Sequence, residues 1–128
     1  MNEELLRQDL IRDEGLRLKP YRCTAGKLSI GVGRNLDDVG ISKSEAEYML
    51  HNDILNVQIE LDRNLPWWRK MSEARQLVLA NMAFNMGIQT LLGFKNTLSA
   101  MERGDYAAAA VGMGSSKWAV QVGRARRD

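Results

Sequence analysis

Apolar positions three to four residues apart open the chain. Leu5, Leu6, Leu10 and Ile11 form one stripe, which predicts an amphipathic helix from residue 3 to about 13 with Gly15 as its C-cap. The helical period then fails at Pro20. From Cys23 to Gly33, glycines at 26, 31 and 33 alternate with Ile30 and Val32, a pattern of short strands and tight turns in a small antiparallel sheet. Ser42 with Glu45 three residues later is a capping box. Behind it Ala46, Leu50, Val57 and Leu61 mark one face of a long helix to about residue 62, which Pro66 ends. Ser72 caps another helix, roughly 73 to 86. It is apolar almost all round (Leu77, Val78, Leu79, Ala80, Met82, Ala83, Phe84, Met86), as expected of the buried centre of a domain. Shorter helices at roughly 88–92, 95–103, 105–112 and 116–125 are punctuated by Gly87, Gly93, Gly104 and Gly114. The order is helix, small sheet, long connecting helix, compact helical lobe.

Composition narrows this little. A chain of 128 residues with 45% hydrophobic and 27% charged residues fits one ordinary globular domain. A formal net charge of +2 demands no nucleic-acid partner. The tail is more basic: Lys117, Arg124, Arg126 and Arg127 stand against Asp128, either a solvated end or a help in approaching an anionic polymer such as a cell wall. The single cysteine, Cys23, allows no intramolecular disulfide and suits a reducing compartment. The charged start, MNEELLRQDLIRDEG, is no secretory signal, and no stretch approaches the roughly 20 apolar residues of a membrane span. If the substrate lies outside the cytoplasm, something else must deliver this protein to it.

Glu14 is the first residue that could carry chemistry. It falls in the last turn of the first helix, where the macrodipole is negative and a carboxylate is disfavoured. Such a field raises a carboxyl pKa, as a general acid near neutral pH requires; an exposed glutamate without a role fits the position equally. Cys23 reads as a small buried hydrophobe or a reactive thiol, and Ser29 as a turn residue or a hydroxyl in a site. Asn81 and Asn85, four residues apart, make a polar stripe on an apolar helix. They either tie the core to a neighbouring backbone or face a polar cleft. Arg34 and Asp53 are expected to form a structural ion pair between sheet and long helix. Trp67, Trp68 and Trp118 are core residues or sugar-stacking platforms. One histidine, His51, and one cysteine are too few for a metal site.

Taken together these residues resemble the phage-type lysozymes, glycoside hydrolase family 24, which include the T-even phage enzyme. That family carries a Glu, eight residues, an Asp or Cys, five residues, then a Thr; Glu14, Cys23 and Ser29 keep both spacings. The surroundings match as well: DEGLRLKPY at 13–21, GKLSIGVGR at 26–34, ISKSEAE at 41–47, NMAFNMG at 81–87, GFKNTL at 93–98, SKW at 116–118 and GRARR at 123–127. The resemblance implies one α+β domain, mainly helical with a small antiparallel sheet. It has two lobes with a cleft between them: a sheet lobe over about 13–40, a connecting helix over about 42–62 and a helical lobe over 66–128.

It also implies a monomeric enzyme without cofactor. The substrate would be peptidoglycan glycan strands, cut at the β-1,4 bond from N-acetylmuramic acid to N-acetylglucosamine, with inversion. Glu14 takes the place of the general acid, Cys23 of the second acidic group, and Ser29 of the threonine that helps position water. Arg124 matches an arginine paired with the catalytic glutamate. Phe84, Asn85 and Thr97 match cleft-lining positions. Three departures stand out. Ser29 lacks the methyl that fixes a threonine rotamer. The segment between Arg34 and Ile41 is short, which reduces the outer wall of the cleft. The sequence stops at Asp128 without the T-even enzyme's final helix. Two other classes share this reading of the residues: a wall-binding protein that has kept the fold, which would have no need of Glu14, and a lysozyme-like part of a larger particle.

Overall fold

The structure, a computed structural model, describes residues 1–107 and 109. The chain divides into two compact units, Met1–Tyr48 and Met49–Asp128, with the boundary inside a long helix.

The first unit opens with α1 (Glu3–Glu14). Asn2 caps it by accepting from the Leu5 N–H at 3.1 Å, and Glu3 and Glu4 sit in the first turn, where the macrodipole favours negative charge. Gly15, at φ 80°, leaves the helix while its N–H donates to the Ile11 carbonyl at 2.8 Å. An antiparallel sheet in the order β1-β2-β3 follows: β1 (Arg17–Arg22), β2 (Leu28–Gly31) and β3 (Arg34–Asn35). Tyr21 faces Ser29 and Arg22 faces Leu28, with a bulge between Arg17 and Tyr21. Pro20, expected to mark a break, lies inside β1. It is tolerated because β1 is an edge strand with a bulge, where a missing N–H costs no ladder bond. Among the described residues of this unit Ser29 alone is buried. Turns, ladder bonds and ion pairs therefore carry much of its order.

The strongest of those pairs corrects an expectation. Arg34 pairs not with Asp53 but with Glu45, near the start of α2 (Lys43–Asn64), through two contacts of 2.8 Å. The capping box explains the choice. The Ser42 N–H donates to Glu45 Oε1 at 2.9 Å and the Glu45 N–H donates to Ser42 Oγ at 3.1 Å, which fixes a carboxylate directly in reach of β3. Arg34 also donates to the Gly40 carbonyl at 3.1 Å, closing the loop that precedes α2. Arg34, assisted by Ser42, holds the Glu45 carboxyl down at about 2. A depressed carboxyl stabilises the fold above its unfolded value and loses that contribution as the pH falls through its folded value. The wild type should therefore lose stability between pH 4.5 and about 2. Glu45→Gln should lower Tm at neutral pH and flatten that decline, as thermal melts across the range would show. Parallel pH profiles for the two proteins would contradict this role.

The second unit is helical: η1 (Pro66–Lys70, a 3-10 turn begun by the proline that ends α2), α3 (Glu73–Met86), α4 (Ile88–Leu92) and α5 (Lys95–Glu102). Ser72 caps α3 as expected, accepting from the Arg75 N–H. Its core gathers Leu61, Trp68, Leu79, Met82, Leu91 and Met101. The expectation for α3 holds on one face. Leu79, Met82 and Ala83 are buried, whereas Leu77 and Phe84 are 62% and 45% exposed. Apolar composition all round did not mean burial all round, because α3 also forms the wall of a groove. Of the helices predicted at 105–112 and 116–125, the second lies outside the described residues, as does half of the first.

Candidate active site

The chemistry-bearing residues of the first unit are set by two local devices. The end of α1 presents Glu14, exposed at its last position. Arg12, one turn from the helix end, is held by Asp9 at 3.3 Å and Asp13 at 3.1 Å. The carboxyl end of Glu14 lies over Gly33, in the turn between β2 and β3. A Cβ built on that glycine would stand 3.1 Å from Glu14 Oε2.

The second device is the β1–β2 hairpin. Cys23 closes it: its N–H donates to the Lys27 carbonyl at 2.9 Å, and its carbonyl accepts from the Gly26 N–H at 2.8 Å. Gly26, at φ 79°, supplies the left-handed residue that the turn needs. The register that sets Tyr21 opposite Ser29 then brings the Ser29 hydroxyl to the Cys23 thiol. Ser29 is 3% exposed, and its hydroxyl also reaches the Lys27 carbonyl at 3.5 Å. Hydrogen bonds from the Lys27 and then the Ala25 backbone, helped by Ser29, hold the half-buried Cys23 thiol below its ordinary value against the opposing effect of burial. This raises the share of thiolate at neutral pH. The structure thus joins Cys23 to Ser29 and sets Glu14 against Gly33, four residues beyond Ser29 on the same run of chain. Four residues of extended backbone span at most about 14 Å.

The remaining site candidates fall in the helical unit. A groove of about 630 Å³ runs between α2, η1 and α3, with Leu50, Ile54, Leu77, Phe84, Asn81 and Asn85 among its lining residues. It contains neither Glu14, Cys23 nor Ser29. The asparagine stripe lies on this groove, among mainly apolar lining residues. Both side chains are exposed on the groove wall, and Asn85 Nδ2 donates to the Asn81 carbonyl at 2.8 Å and to its Oδ1 at 3.1 Å. Thr97 is not on that wall; it lies on the core face of α5, 1% exposed.

Trp68 is a core residue, and Trp67 packs partly buried against the core. Trp68 is 3% exposed, and its indole N–H donates to Asp62 at 2.7 Å. Asp62 also takes two N–H groups of Arg69, which with the indole hold its carboxyl below the usual carboxylate range. Trp118 and Arg124 lie outside the described residues. Sequence reasoning missed Gly33: a glycine in a GVG run signals a turn, and nothing in it signals a carboxyl overhead.

A short three-stranded antiparallel sheet in a mainly helical chain, with an acid at the end of the first helix and a cysteine and a serine on the hairpin, is consistent with the lysozyme class of glycoside hydrolases. The pattern of the family described as Phage lysozyme matches residues 11–127, and the chain belongs to that family. It is 31% identical, over 92% of its own length, to the pre-baseplate central spike protein of Enterobacteria phage T4, of which it spans 26%. It is 29% identical over 90% of its length to a probable T4-type lysozyme of Dictyostelium discoideum, of which it covers 85%. It is 30% identical over 94% of its length to the SAR-endolysin of Escherichia phage Mu, of which it covers 70%. Among the described residues no helix is long and apolar enough to cross a membrane.

Proposed function

We propose that this chain is a peptidoglycan muramidase that hydrolyses the β-1,4 bond between N-acetylmuramic acid and N-acetylglucosamine with inversion. The observation that supports the reading is the Glu14 carboxyl seated over Gly33 in the unit that also carries Cys23 and Ser29, in a chain that belongs to the phage lysozyme family. Glu14 gives its proton to the leaving glycosidic oxygen. Water attacks the anomeric carbon from the opposite face and passes its proton to the Cys23 thiolate, while Ser29 keeps that thiol oriented. An acid, a water and a base suffice for this reaction. By family resemblance Phe84 and Asn85 bind the glycan and Arg124 supports the reaction. The protein acts as a monomer, on the wall, after release from the cytoplasm.

The test is digestion of purified sacculi followed by product analysis. Mass spectrometry should find fragments with hydrated, reducing muramic acid ends. Proton NMR of the first turnover should show the α anomer, as inversion requires. A β anomer would refute the inverting arrangement; intact sacculi would refute the activity. The identity with the phage spike protein favours a second reading, a lysozyme domain carried in a virion. Detection of the chain in purified particles rather than in lysate alone would support it.

A further inference from the structure

We propose that Gly33 is a positioning residue for the reaction: its missing side chain is the seat in which the Glu14 carboxyl lies. The inference rests on the reading of Glu14 as the acid. A Cβ on Gly33 would stand 3.1 Å from Glu14 Oε2, 3.5 Å from Cδ and 3.6 Å from Cγ, so the whole end of the side chain covers that glycine. Backbone conformation does not account for this. Gly26, Gly31 and Gly33 all adopt the left-handed region, at φ 79°, 70° and 69°, yet a Cβ on Gly26 or Gly31 meets nothing within 4 Å. At Gly33 the space that a side chain would take is filled by the candidate acid.

The contact has a predictable weak partner. An added methyl at 3.1 Å requires its neighbour to give by a few tenths of an ångström. Here that neighbour is the tip of an exposed, flexible glutamate, whereas Gly33 is held by the turn into β3. The methyl therefore displaces the carboxyl and leaves the sheet in place. Misplacement of a catalytic group by 1 Å can cost about 10²-fold in rate, so a shift of part of that distance is expected to cost about tenfold.

Gly31 supplies the control, because Gly31→Ala imposes nearly the same backbone strain without the contact. The two variants should lose similar amounts of Tm. On soluble peptidoglycan fragments, Gly33→Ala should lose about tenfold more kcat than Gly31→Ala, with KM within about twofold of wild type. The ¹³C resonance of the Glu14 carboxyl should move in Gly33→Ala and stay in Gly31→Ala. Gly33→Asn carries the same Cβ with less strain and replaces the alanine variant should that fail to fold. An unmoved carboxyl resonance, or equal kcat losses at the two glycines, overturns the proposal. A moved resonance with unchanged kcat also overturns the positioning role. Full activity of Glu14→Gln would sink the muramidase mechanism itself while leaving the moved resonance standing, so the two failures are distinguishable.

Discussion

Glu14→Gln is expected to abolish wall lysis and to leave the fold intact. The amide keeps the size of the side chain and its place over Gly33 but holds no proton for the leaving oxygen. Removing a general acid costs at least about 10²–10⁴-fold. Stability should hardly change. Glu14 is exposed, and substitution at such a position usually shifts stability by about 0.5 kcal/mol or less. The measurement is turbidity clearance of permeabilised Gram-negative cells, with circular dichroism melts of both proteins alongside. Clearance by the glutamine variant at the wild-type rate would remove Glu14 from the chemistry. A collapsed melt with lost clearance would assign it a structural role.

The second large effect is at Cys23. In the proposed mechanism Cys23→Ala removes the water's proton acceptor and leaves the Ser29 hydroxyl only the Lys27 carbonyl, and most activity should go with it. Cys23→Asp should keep activity, because it supplies the other residue that the family pattern allows. It should also move the ascending limb of the pH–rate profile to lower pH. Activity that needs a deprotonated base follows that base, and a carboxylate deprotonates several pH units below a thiol, even one held below its ordinary value by the Lys27 backbone. Alkylation of the half-buried thiol should inactivate the wild type, and oxidation should do so reversibly at the sulfenic stage. A fully active alanine variant would end the catalytic role. An aspartate variant with an unmoved ascending limb would show that residue 23 orients water without taking its proton.

What could be read from sequence alone was whatever a few adjacent residues decide. The start of α3 at Ser72 and the Ser42–Glu45 box were legible because each cap is a contact over three residues. Strand β1 was not. Its alternation is short, from Arg17 to Pro20, and ends on a proline that reads as a break; all its residues except Tyr21 are exposed, and its pairing with β2 depends on a partner elsewhere in the chain. The Arg34–Glu45 pair was hidden for a related reason. The capping box explained Glu45 completely at the local level and gave no sign of the oxygen left for a cation 11 residues back. At the site, spacing identified Glu14, Cys23 and Ser29 through family resemblance. Their physical relation came from the hairpin register, which a spacing cannot carry. Thr97 shows the opposite failure: a motif placed it on a wall, while its neighbours Leu98, Ala100 and Met101 take it into the core.

The aromatic residues of the helical unit have an optical consequence. All three tryptophans of the chain, Trp67, Trp68 and Trp118, fall beyond Tyr48, so none belongs to the unit that carries Glu14, Cys23 and Ser29. Intrinsic emission excited at the red edge of the indole band is therefore a one-sided reporter. With the Trp68 N–H tied to the Asp62 carboxylate at 2.7 Å, the Trp68 emission records the state of α2, η1 and α3. A chain whose first unit had already come apart could still give a sharp, apparently complete fluorescence transition. For this protein, coincidence of tryptophan emission with a probe placed in the sheet, such as a label on Cys23, is the condition for treating unfolding as one event.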